Sequence, residues 1–240
     1  AWLVLYYAPE KHKWITPEEK EYILGDRQSN AGASQTVWKP GWGKLLTYRQ
    51  TWAVVLGRFI SDPIWWLYIF WLPAYFADVR GFSLKEIGAS AWLPFLFAGI
   101  GALSGGWASG YLISKGWTVD KARKTMMAVG ALLTMFGIFA VRAESPYTAL
   151  FLMGIVLFGF QIWVNNLQTL PSDFFPKSAV ASVFGLGGTA AGLATFMYTW
   201  GTGRLVDAFG DAGYTNVFMV AGLLGPIAMV VTFLLARRIE

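Results

Sequence analysis

The sequence predicts an all-α membrane protein built around a bundle of six transmembrane helices. Hydrophobic residues make up 55% of the 240 residues and charged residues only 14%, a composition that excludes an ordinary soluble domain. Long apolar segments follow one another with short polar or glycine-containing loops between them, and the basic residues concentrate in alternate loops. Both patterns are typical of a polytopic membrane protein.

The first complete span runs from Trp52 to Phe76 and is almost continuously apolar and aromatic. It exceeds the roughly 20 residues that an α-helix needs to cross the hydrocarbon core of a bilayer. Two ionisable residues interrupt it, Arg58 and Asp62, and each costs about 2.5 to 3.5 kcal/mol at the centre of a transmembrane helix. Their spacing of four places them on one helix face, where they either pair with each other or face a polar cavity.

Two segments precede this span. Residues 1–8 are apolar but lack the basic start and the cleavage site of a signal peptide. They are predicted to end a preceding transmembrane helix, so that the chain would be a fragment or one half of a larger protein. Residues 9–49 are mainly polar and are predicted to form a cytoplasmic loop with short surface helices. In this loop Thr16 and Glu19 suit a capping box, and Gly25 suits the residue after the end of a helix.

Five further apolar segments complete a predicted transmembrane domain at 50–240. Counted over the loops, one side of the membrane carries fourteen Lys and Arg residues and the other side four. The positive-inside rule places the richer side in the cytoplasm, so both ends of the six-helix domain are predicted to be cytoplasmic. The five segments are 84–113, 125–141, 147–170, 179–203 and 215–236.

No enzymatic chemistry, cofactor or metal site is predicted. The sequence has no cysteine and a single histidine, His12, which excludes thiolate nucleophiles, disulfides and Cys-based metal sites. No motif of a serine hydrolase, a zinc protease or a phosphate-binding loop occurs. The net charge of +5 follows from membrane topology, so no nucleic-acid partner is expected.

Arg58 and Asp62 are the first candidate binding residues. The planar guanidinium of Arg58 can bind a carboxylate through two parallel hydrogen bonds, and a low-dielectric surround strengthens that attraction. Two alternatives remain open, in which Arg58 only neutralises Asp62 or extends towards the cytoplasmic surface. Asp62 is either a fixed countercharge or a group that exchanges a proton.

A stripe of amide side chains marks the fourth predicted span. Gln161, Asn165 and Gln168 recur at spacings of four and three, with Trp163 and Asn166 beside them. Amides both donate and accept hydrogen bonds, so they suit the hydroxyl groups of a sugar-like solute. Hydrogen bonding between helices is the alternative, but four amides in so short an apolar segment favour a cavity.

Four segments of the chain resemble the C-terminal half of a transporter of the major facilitator superfamily. The resemblance is to its anion:cation symporter family, and within that family to the bacterial hexuronate transporters. It covers nearly the whole chain and is most specific between residues 173 and 192. The segments are RQTWAVVLGRFISDPIWWLYIFWLPAYF at 49–76, GFSLKEIG at 81–88, QIWVNNLQTLPSDFFPKSAVASVFGLGGTAAG at 161–192, and the closing apolar helix.

The resemblance implies a twelve-helix fold whose N-terminal six-helix half is missing from this chain. It further implies a secondary active transporter of the bacterial inner membrane that moves an organic anion, such as a hexuronate, by alternating access with a coupling proton or cation. Residues 1–8 would then end the sixth helix, and 9–49 would be the loop between the halves. The residues that would line the substrate cavity are Arg58, Asp62, Gln161, Trp163, Asn165 and Asn166.

One departure from the superfamily pattern concerns the loop between its helices eight and nine. Gly110 stands where the family often has an Asp, so a latch that depends on that Asp is not expected. Asp173 lies beyond Pro171 and is expected to be a loop or cap residue. The alternative to a transporter half is a six-span homodimeric facilitator or a non-transporting membrane scaffold.

Overall fold

The computed structural model describes residues 7–12, 14–32 and 40–237. Most of the helix end predicted at 1–8 lies outside the described residues. The chain divides into two units, and the division falls between Lys39 and Pro40.

The first unit contains a short 3-10 turn, Pro9–Lys11, and helix α1, Pro17–Gly32. The predicted capping box starts α1, because the Glu19 amide donates to Thr16 Oγ1 at 3.2 Å and the Thr16 amide donates to Glu19 Oε2 at 3.0 Å. The helix end predicted at Gly25 is wrong, since α1 continues through that residue. A glycine inside a helix costs only about 1 kcal/mol relative to alanine, which the surrounding helix can offset.

The second unit is all-helical over its described residues and holds the six predicted spans. Helices α3, α8, α9 and α10 are each long and apolar enough to cross a membrane, and so are the pairs α4 with α5 and α6 with α7. The predicted fold class, a six-helix membrane bundle, is confirmed. The helices are α2 (Trp42–Leu45), α3 (Arg49–Asp78), α4 (Leu84–Ser90), α5 (Leu93–Ser114), α6 (Val119–Leu133), α7 (Phe136–Ala140), α8 (Pro146–Phe174), α9 (Lys177–Phe209) and α10 (Asp211–Ala236).

Local sequence features set several helix ends. Ser83 caps α4 by accepting from the Glu86 amide, and Glu86 completes a capping box. Thr118 caps α6 through the Lys121 amide at 3.2 Å. Gly210 alone separates α9 from α10 and has a φ of +54°, a conformation that glycine reaches without the steric cost a Cβ would bring.

Helix α8 packs against more of its neighbours than any other span and is the most buried. Within its most apolar window 61% of the residues are buried, and it contacts α3, α5, α6 and α7. Small residues bring the backbones close. A Cβ on Gly105 would lie 2.8 Å from Cα of Ile162, and one on Gly130 would lie 2.6 Å from the carbonyl oxygen of Gly159. Close backbone approach through glycine is a main route to helix association in lipid.

Helix α3 organises the other side of the bundle and packs against α9 and α10. Gly57 permits this approach, because a Cβ there would lie 2.7 Å from Thr232 Oγ1 and 3.0 Å from Leu167 Cδ1. Helices α3 and α8 also contact each other. The two spans that carry the candidate polar residues are therefore neighbours.

Candidate functional site

A pocket of about 280 Å³ lies between α3 and α8. Each helix contributes residues spaced three or four apart, which share one helix face. Aromatic and apolar side chains form part of the lining, and one cation, one carboxylate and two amides form the rest. The lining residues of this α3–α8 pocket are Arg58, Asp62, Trp65, Trp66, Phe160, Gln161, Val164 and Gln168.

An ion pair within α3 supplies the charges of the pocket. Arg58 donates to Asp62 Oδ2 from Nη2 at 2.8 Å and from Nε at 3.2 Å. The side chains are 13% and 9% exposed, respectively, so each charge has lost most of its water. Removing either partner would leave the other charge buried and uncompensated.

The two guanidinium bonds converge on one oxygen of Asp62. The other oxygen, Oδ1, is buried and accepts no hydrogen bond from any described residue. Buried carboxylate oxygens normally have a partner. Arg58 likewise makes no described hydrogen bond through Nη1. The N–H groups of Nη1 can therefore donate to a further acceptor.

The predicted amides of α8 divide between the pocket and the helix contacts. Gln161 and Gln168 line the pocket and are half-buried. Asn165, between them in the stripe, donates from Nδ2 to the carbonyl oxygen of Ala102 on α5 at 3.1 Å. Asn165 therefore joins α8 to α5 at the margin of the polar face.

Trp163 and Asn166 lie away from the pocket. Both are 0% exposed, and Asn166 donates from Nδ2 to the carbonyl oxygens of Ile162 at 2.9 Å and Gly105 at 3.4 Å. Trp163 packs against α6 at Gly130. An α-helix turns 100° per residue, so these two positions point almost opposite to Gln161. The structure thus separates them from the other predicted site residues and places them in helix packing.

The aromatic wall of the pocket had not been anticipated from the sequence. The Trp65 and Phe160 rings stack at 6.0 Å with 17° between their planes, and Trp66 lies beside them in the lining. A signal was present, because Trp65 and Trp66 follow Asp62 by three and four residues and so share its helix face. Of the tryptophans, only Trp163 had been assigned to the cavity from the sequence.

A second polar cluster joins α5, α6 and α8 near the end of α8. Arg123 bonds Asp173 Oδ2 from Nε at 3.2 Å, and its Nη1 contacts Ser109 Oγ at 3.4 Å and Asn166 Oδ1 at 3.5 Å. Asp173 had been expected in a loop or cap; it is instead the penultimate residue of α8 and pairs with Arg123 of α6. Arg123 thus pairs with an acidic residue, Asp173, although Gly110 stands at the position where the superfamily often has an Asp.

No group of three or more His, Cys, Asp or Glu side chains that could hold a metal ion occurs among the described residues. The α3–α8 pocket offers one cation that can bind a negative group, amides that can hydrogen-bond hydroxyls, and aromatic faces that can pack against the C–H surface of a ring.

Comparison with known proteins gives the family. The sequence profile of the Major Facilitator Superfamily matches residues 1–199. This chain belongs to the Major Facilitator Superfamily. The predicted resemblance is confirmed.

Several curated proteins are similar to the chain. The "Hexuronate transporter" of Escherichia coli K12 is 35% identical over 235 residues, which cover 95% of this chain and 53% of that protein. The "Galacturonate transporter" of Dickeya chrysanthemi is 35% identical over 155 residues, covering 62% of this chain and 43% of that protein. The "D-galactonate transporter" of Escherichia coli O6:H1 is 26% identical over 236 residues, covering 95% and 54%.

The chain therefore spans about half the length of the curated relatives it matches. With six spans described, that coverage fits the C-terminal half of such a transporter.

Proposed function

We propose that this chain is the C-terminal half of a secondary active transporter that moves a hexuronate or a related sugar acid across the membrane. The α3–α8 pocket is the observation that carries the proposal, because it places a cation, two amides and two stacked aromatic rings in one cavity. The three relatives named above transport, by their names, a hexuronate, galacturonate and D-galactonate. All three solutes combine a carboxylate with several hydroxyl groups.

Arg58 binds the carboxylate in this proposal. Its Nε and Nη2 are used by Asp62, and its Nη1 remains available to an incoming anion. Gln161 and Gln168 lie across the pocket on α8, where their amides can exchange hydrogen bonds with hydroxyl groups. The stacked rings of Trp65 and Phe160 offer an apolar surface to the C–H face of a sugar ring.

Charge balance supports coupling to a proton. The Arg58–Asp62 pair has no net charge, so an anion that enters the pocket leaves one uncompensated negative charge in a low-dielectric surround. A proton on Asp62 restores neutrality and releases Arg58 to the substrate. The buried and unpartnered Oδ1 of Asp62 is a suitable place for that proton.

Alternating access completes the proposal. The missing six-helix half would close the pocket from the other side, and the two halves would move about the substrate. The excess of Lys and Arg on one side supports an orientation in which both ends of the six-helix domain are cytoplasmic. The bacterial relatives named above support a location in the bacterial inner membrane.

Uptake by the full-length protein in proteoliposomes tests the proposal. Wild type should accumulate labelled galacturonate only with an inward proton gradient, and unlabelled galacturonate should compete better than its uncharged methyl ester. Arg58→Gln should abolish uptake at equal protein abundance. Arg204→Gln is the matched control, because Arg204 is an exposed arginine stacked on Trp200 in α9.

Two results would overturn it. Uptake by Arg58→Gln at the wild-type rate would remove Arg58 from the substrate site. Absence of uptake for every hexuronate and aldonate by an intact, folded protein would favour a non-transporting scaffold.

A further inference from the structure

Helix α9 contacts the cation of the pocket, although no residue of α9 lines the pocket itself. The guanidinium carbon of Arg58 lies 5.4 Å from the centroid of the Phe184 ring. A Cβ built on Gly187 would lie 3.2 Å from Arg58 Cδ, and one on Gly188 would lie 3.6 Å from Nη1. Because 184, 187 and 188 are spaced by three and four, these residues form one continuous face of α9.

We propose that Phe184 and Gly187 are positioning residues that fix where Arg58 presents its charge to the substrate. The inference rests on the proposed function, since it assigns them a role in anion binding through Arg58. Neither residue is proposed to touch the substrate. They would act on the orientation of the guanidinium and hence on affinity for a carboxylate.

The ion pair alone does not fix Arg58. It holds only the far end of a long side chain with many rotamers, and both bonds converge on one oxygen. Bidentate binding of a carboxylate depends on the plane and direction of the guanidinium fork. The Phe184 ring contacts the guanidinium from a second helix, and the aliphatic stem of Arg58 lies against Gly187.

The absence of a side chain at Gly187 makes room for this arrangement. The same added Cβ that would meet Arg58 Cδ at 3.2 Å would also meet Val54 Cγ1 at 3.2 Å. Both distances are below ordinary van der Waals contact between carbons, so with alanine at this position Arg58 and Val54 would each have to move by a few tenths of an ångström. Gly185, two residues earlier on α9, has nothing within 4 Å of the corresponding position.

Transport kinetics of single variants in the full-length protein test the inference. Phe184→Leu removes the cation–π contact and should raise KM for galacturonate by roughly threefold to thirtyfold, with little change in maximal rate. Gly187→Ala should also raise KM, while Gly185→Ala, the matched control on the same helix, should leave it unchanged. Phe184→Leu and Gly187→Ala at wild-type KM would overturn the inference.

A double variant separates positioning from helix packing. Val54→Ala combined with Gly187→Ala removes the contact with Val54 but keeps the contact with Arg58. KM should therefore stay raised. A return to the wild-type KM would mean that Gly187 serves the packing of α3 against α9 and would overturn its positioning role.

Arg58→Gln in the same assay keeps the two proposals apart. Normal uptake by Arg58→Gln would refute the proposed function itself. Loss of uptake in Arg58→Gln with unchanged kinetics in Phe184→Leu and Gly187→Ala would refute only the positioning role of α9.

Discussion

Replacing Asp62 by asparagine removes the countercharge of Arg58 while keeping the size of the side chain. Loss of one partner of a fully buried ion pair costs about 3 to 5 kcal/mol. Here the two side chains are 13% and 9% exposed and border a pocket, so residual hydration lowers the cost. We expect Asp62→Asn to destabilise the protein by about 2 to 3 kcal/mol, and Arg58→Gln by a similar amount.

The interaction between Arg58 and Asp62 should be measurable as a coupling energy between the two substitutions. In the double variant Arg58→Gln with Asp62→Asn no charge remains, so its destabilisation should be smaller than the sum of the single effects by about 2 kcal/mol. Reversible unfolding of the purified full-length protein in mixed detergent micelles gives the four free energies. Effects that add to within about 0.5 kcal/mol would refute the coupled pair, because additivity is the behaviour of independent sites.

The single variant Asp62→Asn also tests whether Asp62 carries the coupling proton. If Asp62 carries the coupling proton, Asp62→Asn should lose the stimulation of uptake by an inward proton gradient but still bind galacturonate. Binding is measured on the purified protein and uptake in proteoliposomes. Full stimulation by the gradient would place the proton on another residue.

Three further predictions concern the amide stripe and the helix contacts. Gln168→Ala should raise KM for galacturonate by roughly twofold to tenfold in the uptake assay, because one neutral hydrogen bond contributes about 0.5 to 1.5 kcal/mol; an unchanged KM would exclude it from binding. Gly159→Ala should destabilise the α6–α8 contact by about 1 to 3 kcal/mol in unfolding experiments, whereas Gly99→Ala, with open space around it, should not. Asp173→Asn should cost about 1.5 to 3 kcal/mol by weakening the bond to Arg123, and no loss would show that the ion pair contributes nothing.

The six spans could be predicted from the sequence because they depend on local composition. A helix in a bilayer must satisfy its own backbone hydrogen bonds and present apolar side chains, so length and hydropathy alone locate it. The end of α1 could not be predicted in the same way. Gly25 is a common residue after a helix end, but the same glycine is tolerated inside a helix.

The candidate site could be predicted only where its residues share a helix. Arg58 and Asp62 are four apart, so their pairing follows from helix geometry. The contact of Arg123 with Asp173 and that of Arg58 with Phe184 join distant parts of the chain, and nothing local indicates them. Trp163 was assigned to the same site as Gln161 because the two residues are close in the sequence. Side chains two residues apart on an α-helix, however, point in nearly opposite directions.

The one-residue connection at Gly210 has a consequence for biogenesis. With a single residue between α9 and α10, the insertion machinery has only a short hydrophilic stretch to translocate there, with Arg204, Asp207 and Asp211 as its charged residues. The two segments are therefore expected to partition into the bilayer together as a hairpin. In a nascent chain truncated after Phe209, a cysteine introduced into the middle of α9 should then be more accessible to a water-soluble thiol reagent than in a chain that continues through α10; the native sequence has no cysteine that would interfere. Equal protection of that cysteine in both chains would mean that α9 enters the bilayer on its own.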